Sequence, residues 1–267
     1  MARLKGALNF TGSIGNLSAY NSKGIEDTLI RLKGGASREK IKKAREFTNT
    51  RKNNAEFGGA STAGKKIKEA IISVTHLDHS RFQNRLNTIC RFIINQDPVN
   101  DWGKRSFLLS NHRSLLEGFN LGMGTAFDSI IKHPLACTIN RSELSATVLV
   151  PQLIPKIGLY VPGNFSFFRL IAVMGIVPDL QYDTRFEKYF PINAAIQSKR
   201  ADIYTDWLST ADISSQQELN IQIEGDCNMS DQDSVVLAVG VEFGAALSAN
   251  LIRPVTNAGA AKIVGVE

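Results

Sequence analysis

The spacing of apolar residues changes twice along the chain. Between residues 4 and 33 short alternating runs are broken by Gly and Asn, which predicts a small β-meander. Apolar residues then recur at helical spacing, which predicts four helices, at 38–47, 54–74, 80–95 and 104–117. From residue 138 onward short β-branched runs, including KIGLYVP at 156–162, lie between Pro, Gly, Asn and Asp. Such runs are typical of an antiparallel β-sandwich or barrel, so we expect an α+β protein.

This change of pattern divides the chain into three segments. We expect an N-terminal β-hairpin contact element at 1–37, a helical region at 38–125 and a β-sandwich-like domain at 126–267. Ser37 is predicted to cap the first helix. Small residues are dense in the first half of the second helix and predict either close approach of another backbone or a poorly formed helix; they are Gly58, Gly59, Ala60, Ala63 and Gly64.

Composition is ordinary for a globular protein, with 43% hydrophobic and 21% charged residues in a chain of 267. The three cysteines, Cys90, Cys137 and Cys227, are widely spaced without a CxxC, which predicts reduced and mostly buried thiols. The N-terminus lacks the apolar stretch of a secretory signal, and no run reaches the roughly 20 apolar residues of a membrane span. We expect a cytoplasmic protein without membrane contact, with signal-independent export or release on lysis as alternatives.

Positive charge is concentrated near the N-terminus. Residues 1–70 contain 15 Lys and Arg against 6 Asp and Glu, whereas the remaining residues contain 16 against 19. This asymmetry predicts an attractive contact between the N-terminal part and something acidic. Nucleic acid and the acidic part of a neighbouring copy both fit that description.

Two stretches resemble metal sites without completing one. His76 and His79 form an HxxH around Asp78, but no third ligand is evident nearby, so a polar helix end is the preferred interpretation. The run GDCNMSDQD places Asp226, Asn228 and Ser230 at alternate positions, as at the start of a calcium loop. Its sixth and twelfth positions, Asp231 and Leu237, are not the required Gly and Glu. A polar hairpin loop is therefore expected.

No motif with a catalytic mechanism is present. The stretch KGGAS at 33–37 lacks the order of a phosphate-binding P-loop, so a strand-to-helix turn is the stronger interpretation. GxSxG, HExxH and a Cys–His arrangement are absent. We expect no catalytic residue, no cofactor, no metal and no small-molecule substrate; an enzyme with a site assembled only in space is a third alternative.

Three N-terminal stretches carry a resemblance: GALNFTGSIGNLSAY, IRLKGG and FTNTRKNNAEFGGASTAGK. Their glycine spacing, KGG element and R-x-N-x-x-E-F-G element together resemble an uncharacterised family of conserved hypothetical proteins from Bacteroidota. The resemblance covers about the first 65 residues and extends to the remainder only in layout. It implies no activity and brings no catalytic residue.

The sequence predicts a non-enzymatic structural protein that assembles with copies of itself into a filament, tube or shell. The predicted subunit contacts are Phe10, Gly12, Ile14, Gly15, Leu17, Tyr20, Arg31, Lys33, Gly34 and Gly35, with Phe10, Ile14, Leu17 and Tyr20 expected on one apolar face. The alternative is a nucleic-acid-binding protein, for which a phage origin is one interpretation. Its predicted phosphate contacts are Lys40, Lys42, Lys43, Arg45, Arg51, Lys52, Lys65, Lys66 and Lys68.

Overall fold

The computed structural model describes residues 2–4, 10–23, 25–77, 82–122, 124–248 and 251–267. The chain forms two compact units, Met1–Arg51 and Lys52–Glu267. The boundaries expected after residues 37 and 125 stay predictions. Among the described helices, none combines the length and the apolarity needed to cross a membrane.

The first unit is built around a four-stranded antiparallel sheet in the order β1-β4-β3-β2. Its strands are β1 (Ala2–Leu4), β2 (Gly12–Ile14), β3 (Leu17–Ser22) and β4 (Ile25–Leu32). Gly15 and Asn16 form the two-residue turn between β2 and β3, and Gly15 adopts φ +56°, a conformation that glycine reaches without steric cost. The predicted meander is confirmed.

A short basic helix follows this sheet. Helix α1 (Arg38–Lys43) begins after Ser37, whose hydroxyl accepts a hydrogen bond from the Lys40 amide at 3.2 Å, as the sequence predicted. Ala44 is extended and separates α1 from a 3₁₀ turn at Arg45–Phe47, so the predicted helix at 38–47 forms two pieces.

The second unit contains the remaining elements. Its helices are α2 (Thr48–Ala70, which starts in the first unit), α3 (Phe82–Asn95) and α4 (Phe127–Ile130), with 3₁₀ turns at Ile72–Leu77, Leu109–Asn111 and Arg113–Leu115. Its strands are β5 (Ala136–Asn140), β6 (Ser145–Val150), β7 (Phe167–Pro178), β8 (Leu180–Asp183), β9 (Lys188–Pro191), β10 (Arg200–Tyr204), β11 (Leu208–Ser209), β12 (Gln217–Gln222), β13 (Asp233–Ser248), β14 (Leu251–Pro254) and β15 (Ala260–Val266).

Strands β7 and β13 form the centre of a six-stranded antiparallel sheet. They pair without interruption from Asp233 opposite Pro178 to Gly244 opposite Phe167. Outside them, β10 and β11 pair with β7, while β14 and β15 pair with β13. A three-stranded sheet, β12-β6-β5, and the hairpin β8-β9 complete the β structure.

Both faces of the central sheet are covered, which explains why β7 and β13 are apolar almost throughout. Ile171, Val173 and Ala238 lie on one face in a core shared with α2, α3 and the 3₁₀ turn at Ile72–Leu77. Leu170 and Leu237 lie on the other face, in a core shared with β6 and β12. The predicted sandwich is confirmed, with a helical layer on its second face.

Two predicted elements are wrong. Residues 104–117 form an isolated β-bridge and two 3₁₀ turns instead of a helix. Phe107 exchanges backbone hydrogen bonds with Leu180 at 2.8 and 2.9 Å and cannot use those groups in a helix. The KIGLYVP run is not a strand, because the amides of Gly158 and Leu159 bond back to the Ile154 carbonyl in a tight turn. Lys156, with φ +67°, lies in the same turn.

Candidate assembly interface and polar clusters

Ile14, Leu17 and Leu32 form an exposed row across the first sheet, which we call the apolar row. Ile14 pairs with Leu17, and Leu17 pairs with Leu32, so the three side chains project from one face of neighbouring strands. Their exposed fractions are 61%, 38% and 66%. Two adjacent strand pairs thus bring together side chains that are up to 18 positions apart in sequence.

Tyr20 does not share this face. It lies three positions after Leu17 on the same strand and pairs with Leu29, so it projects to the opposite side. The Arg31 guanidinium lies 5.3 Å from the centroid of its ring. The expected single face of Ile14, Leu17 and Tyr20 is therefore wrong for Tyr20, and Phe10 lies half-buried just before β2.

The predicted contact residues at the turns have local structural roles. Gly12 and Gly35 adopt φ +131° and +99°, in the region that favours glycine, and a Cβ on Gly34 would meet open space. Lys33 reaches back across the sheet, and its Nζ donates to the Gly15 carbonyl at 3.0 Å. The tight turn expected at Gly15 is present and Gly35 lies in a bend, whereas the turn expected at Gly12 is wrong because Gly12 lies in β2 and pairs with Ala19.

The first unit buries little apolar surface of its own. Among its described residues, Ala19 and Leu29 are the buried apolar side chains. A fully buried Leu contributes ~1.5–3 kcal/mol relative to an exposed one. Ile14, Leu17 and Leu32 together have more apolar side-chain volume than Ala19 and Leu29, the buried apolar residues described in this unit. All three nevertheless remain exposed.

Most of the basic residues predicted to bind phosphate make contacts within the chain. Lys40 pairs with Glu46 at 2.8 Å, and Lys65 and Lys66 lie 3.8 and 3.6 Å from the Glu69 carboxylate. These exposed pairs are weak, each worth ~0–1 kcal/mol. Their two carboxylates, Glu46 and Glu69, offset two of the nine positive charges that a phosphate backbone would meet.

Three more of these basic residues pack on neighbouring groups. Arg51 donates to the carbonyls of Ile41 and Ala44 at 2.8 Å each, which satisfies the end of α1. Lys52 lies over the Trp102 ring at 5.2 Å, and Lys68 lies over the Phe82 ring at 5.8 Å. Of the nine, Lys42, Lys43 and Arg45 are exposed and form no ion pair within the described parts of the chain.

Two residues in and beside the R-x-N-x-x-E-F-G element, Glu56 and Gly59, have structural explanations. Glu56 is fully buried in α2, and its carboxylate accepts a hydrogen bond from the Gly103 amide at 2.8 Å, which fixes the turn after α3. A Cβ on Gly59 would lie 2.5 Å from the Tyr189 ring. Burial, followed by the negative charge of Glu56, raises the pKa of Tyr189. Side-chain packing therefore explains the small residue at position 59.

Sequence analysis missed a polar cluster centred on Glu242. Its buried carboxylate accepts from Arg169 Nε at 2.6 Å and lies 2.8 Å from His76 Nε2. The Arg169 guanidinium lies between two rings, 4.8 Å from Tyr204 and 4.6 Å from Trp207. Burial alone raises the pKa of Glu242, but the bonds from His76 and Arg169 outweigh it and lower the pKa overall.

One signal for this cluster was present in the sequence. Arg169 and Glu242 are single charges inside the two most apolar runs, and the structure pairs them directly across β7 and β13. Buried opposite charges at such positions are expected to pair. His76 joins them from the turn at Ile72–Leu77, while His79 and Asp78 lie outside the described residues.

The calcium-like run forms a loop between β12 and β13, which belong to different sheets, so the expected hairpin is wrong. Asp226 accepts from the Asn228 amide at 2.8 Å, and Ser230 donates through both its amide and its hydroxyl to Asp233, each at 2.8 Å. These bonds are typical of Asx-type turns. Throughout the described residues, no group of three or more His, Cys, Asp or Glu is arranged to hold a metal ion.

Comparison with known proteins adds no functional information. No protein-family model, curated protein or solved structure matches this chain. The resemblance to the Bacteroidota family stays a prediction.

Proposed function

We propose that this chain is a non-enzymatic structural protein that assembles with copies of itself, through its N-terminal unit, into a filament, tube or shell. The observation that supports this proposal is the apolar row. Three large aliphatic side chains lie side by side on a sheet that buries few others. A contiguous exposed apolar patch is typical of a protein–protein contact.

The edge strand β2 adds a second attraction. All three of its residues are exposed, and it pairs with β3 alone among the described strands. Because Ile14 and Leu17 flank a two-residue turn, they form the hydrogen-bonded pair, and the backbone groups of Ser13 point away from β3. An unpaired edge with an adjacent apolar row favours association with another chain.

Size measurements on the full chain test the proposal. We expect the natural protein to form large particles by analytical ultracentrifugation and negative-stain microscopy. Replacing Ile14 and Leu32 together with Asp should leave a folded monomer, because both side chains are exposed and their loss removes no core packing. Ile157→Asp is the matched control, since Ile157 is 63% exposed in the second unit and its variant should assemble normally.

Uniform monomers of the natural protein at every concentration tested would contradict the proposal. Circular dichroism of the double variant must show an unchanged fold. Assembly by that variant at the natural level would equally exclude the apolar row as the contact.

The contacts of the basic residues favour assembly over nucleic-acid binding. Six of the nine predicted phosphate contacts are engaged within the chain, which leaves Lys42, Lys43 and Arg45 around α1. Three phosphate contacts would give a shallow salt dependence, with a slope of roughly −3 in log K against log[salt] on duplex DNA. A steep slope in a mobility-shift titration, abolished by reversing these three charges, would instead support the alternative.

A further inference from the structure

The two edge strands that the structure describes in the first sheet, β1 and β2, differ in charge. Strand β1 contains Arg3, whose guanidinium lies 3.6 Å from the Asp27 carboxylate. Strand β2 has the sequence Gly-Ser-Ile, and all three of its residues are exposed. Charged side chains on an edge strand oppose pairing with another chain, whereas an uncharged edge favours it. Strand β2 is therefore the edge of this sheet that best accepts another strand.

The backbone of Ser13 supplies the hydrogen-bonding groups of this edge. Ile14 pairs with Leu17 across a two-residue turn, and Ser13 pairs with Ser18. Hydrogen-bonded and non-hydrogen-bonded pairs alternate along an antiparallel ladder, so the Ser13 N–H and C=O both point away from β3. A residue that presents a donor and an acceptor on the same side can exchange two hydrogen bonds with the same residue of a second copy.

The side chains of β2 fit a second β2 placed antiparallel to it. If Ser13 faces its own counterpart, Ile14 faces Gly12 of the second copy, because antiparallel strands run in opposite directions. Gly12 has no side chain, and a Cβ at its position would meet nothing within 4 Å, so space exists for the isoleucine. Gly12 and Ile14 are two positions apart and share one face of the strand. The pairing therefore joins the apolar rows of the two copies into one continuous patch.

The positive charge at the turn does not oppose this pairing strongly. The Lys33 ammonium bonds the Gly15 carbonyl at 3.0 Å, two positions beyond Ser13. In the antiparallel pair the two copies of Gly15 are four positions apart, or about 13 Å along the strands. This separation exceeds the Debye length of ~8 Å at physiological ionic strength, so the repulsion between the two ammonium groups is largely screened.

We propose that two copies of this chain pair edge to edge through β2, as antiparallel strands related by a two-fold axis at Ser13. This inference rests on the proposed function and names the partner of the edge strand. The contact uses the same surface of both copies, so it is isologous and closes at a dimer. Larger particles then form through a second contact between dimers, for which the doubled apolar row stays exposed.

Cysteine cross-linking of the full chain tests the position of the axis. Residues that form a hydrogen-bonded antiparallel pair have Cα atoms ~5.5 Å apart, so Ser13→Cys should give a covalent dimer with a short bis-maleimide. Thr11→Cys is the matched control, because Thr11 is also exposed but its two copies would lie about 13 Å apart along the strands. It should lose most of the cross-linked product. The unsubstituted protein, with its three natural thiols, gives the background.

A proline substitution tests the backbone contact separately from the apolar row. Ser13→Pro removes the outward N–H but no bond to β3, so the hairpin should be retained while pairing with a second copy is lost. Ser13→Ala keeps the N–H and serves as the control. By analytical ultracentrifugation we expect the large particles to disappear in Ser13→Pro and to persist in Ser13→Ala. Circular dichroism establishes that both variants are folded, and the cross-linking result is independent of the proline variant.

The outcomes separate this inference from the proposed function. Absence of a dimer in Ser13→Cys, equal cross-linking of Thr11→Cys, or particles of natural size in Ser13→Pro would each overturn the inference. The proposed function stands in those cases if the natural protein still forms large particles. If the natural protein forms dimers that cross-link at position 13 and nothing larger, the inference stands and the proposed function fails. A natural protein that is monomeric at every concentration overturns both.

Discussion

Replacing Glu242 with Gln should destabilise the second unit in a pH-dependent way. The carboxylate lies on β13, directly opposite Arg169 on β7, and also binds His76 in the turn at Ile72–Leu77. Glutamine has nearly the same shape but no charge. The substitution therefore removes the ionic part of this cluster while the packing of the sheet is retained.

The structure sets the size of the effect. Removing one partner from a fully buried ion pair costs ~3–5 kcal/mol. Here Arg169 and His76 keep partial contact with water, and Gln still accepts a hydrogen bond, so we expect about 2 kcal/mol. For a unit of this size that loss lowers Tm by about 4–8 °C.

The sign of the pH dependence follows from the lowered pKa of Glu242. A group whose pKa is lower in the folded state stabilises the fold above its unfolded pKa, which is about 4.3 for Glu. That stabilisation is lost as the pH falls through the folded-state pKa. The difference in free energy of unfolding between the natural protein and the Glu242→Gln variant should thus be largest at neutral pH and shrink below about pH 4.

Urea unfolding at neutral pH and at about pH 3.5, followed by circular dichroism and tryptophan fluorescence, measures this difference. Trp207 contacts Arg169 and reports locally on the cluster. The matched control is Glu143→Gln, at an exposed turn position, which should change stability little at either pH. An equal loss of stability in the Glu242→Gln variant at both pH values would refute the reasoning, because it would show that the charge of Glu242 does not cause the stabilisation.

Two further predictions concern the body of the protein. Gly175→Ala should destabilise it by ~1–3 kcal/mol in urea unfolding, because the new Cβ would lie 2.5 Å from the Ala70 carbonyl oxygen. Gly58→Ala, where a Cβ meets open space, should instead stabilise the protein by roughly 0.5–1 kcal/mol. A similar loss of stability in both variants would contradict the packing argument. Burial raises the pKa of Cys90 to about 12, so in native protein a thiol reagent should modify the half-buried Cys137 first. Mass spectrometry of the labelled protein identifies the order, and earlier labelling of Cys90 would disprove it.

Local sequence patterns predicted the elements whose stability is mainly local. Alternation and glycine placement predicted the β2-β3 hairpin, helical spacing predicted α3, and Ser37 predicted the start of α1. The helix expected at 104–117 failed because Phe107 pairs with Leu180, 73 positions later. No local pattern contains that information, since the competing hydrogen bonds come from a distant strand.

The sequence by itself determined the α+β class, the antiparallel β-rich second half and the basic N-terminal part. These follow from residue type and spacing within short windows. Only the tertiary structure decided which side chains meet. Strand register placed Ile14 beside Leu17 and Leu32 and turned Tyr20 to the other face, because a strand alternates faces at every residue. Register likewise joined Arg169 to Glu242, because strand pairing depends on chain segments that the sequence separates by tens of residues.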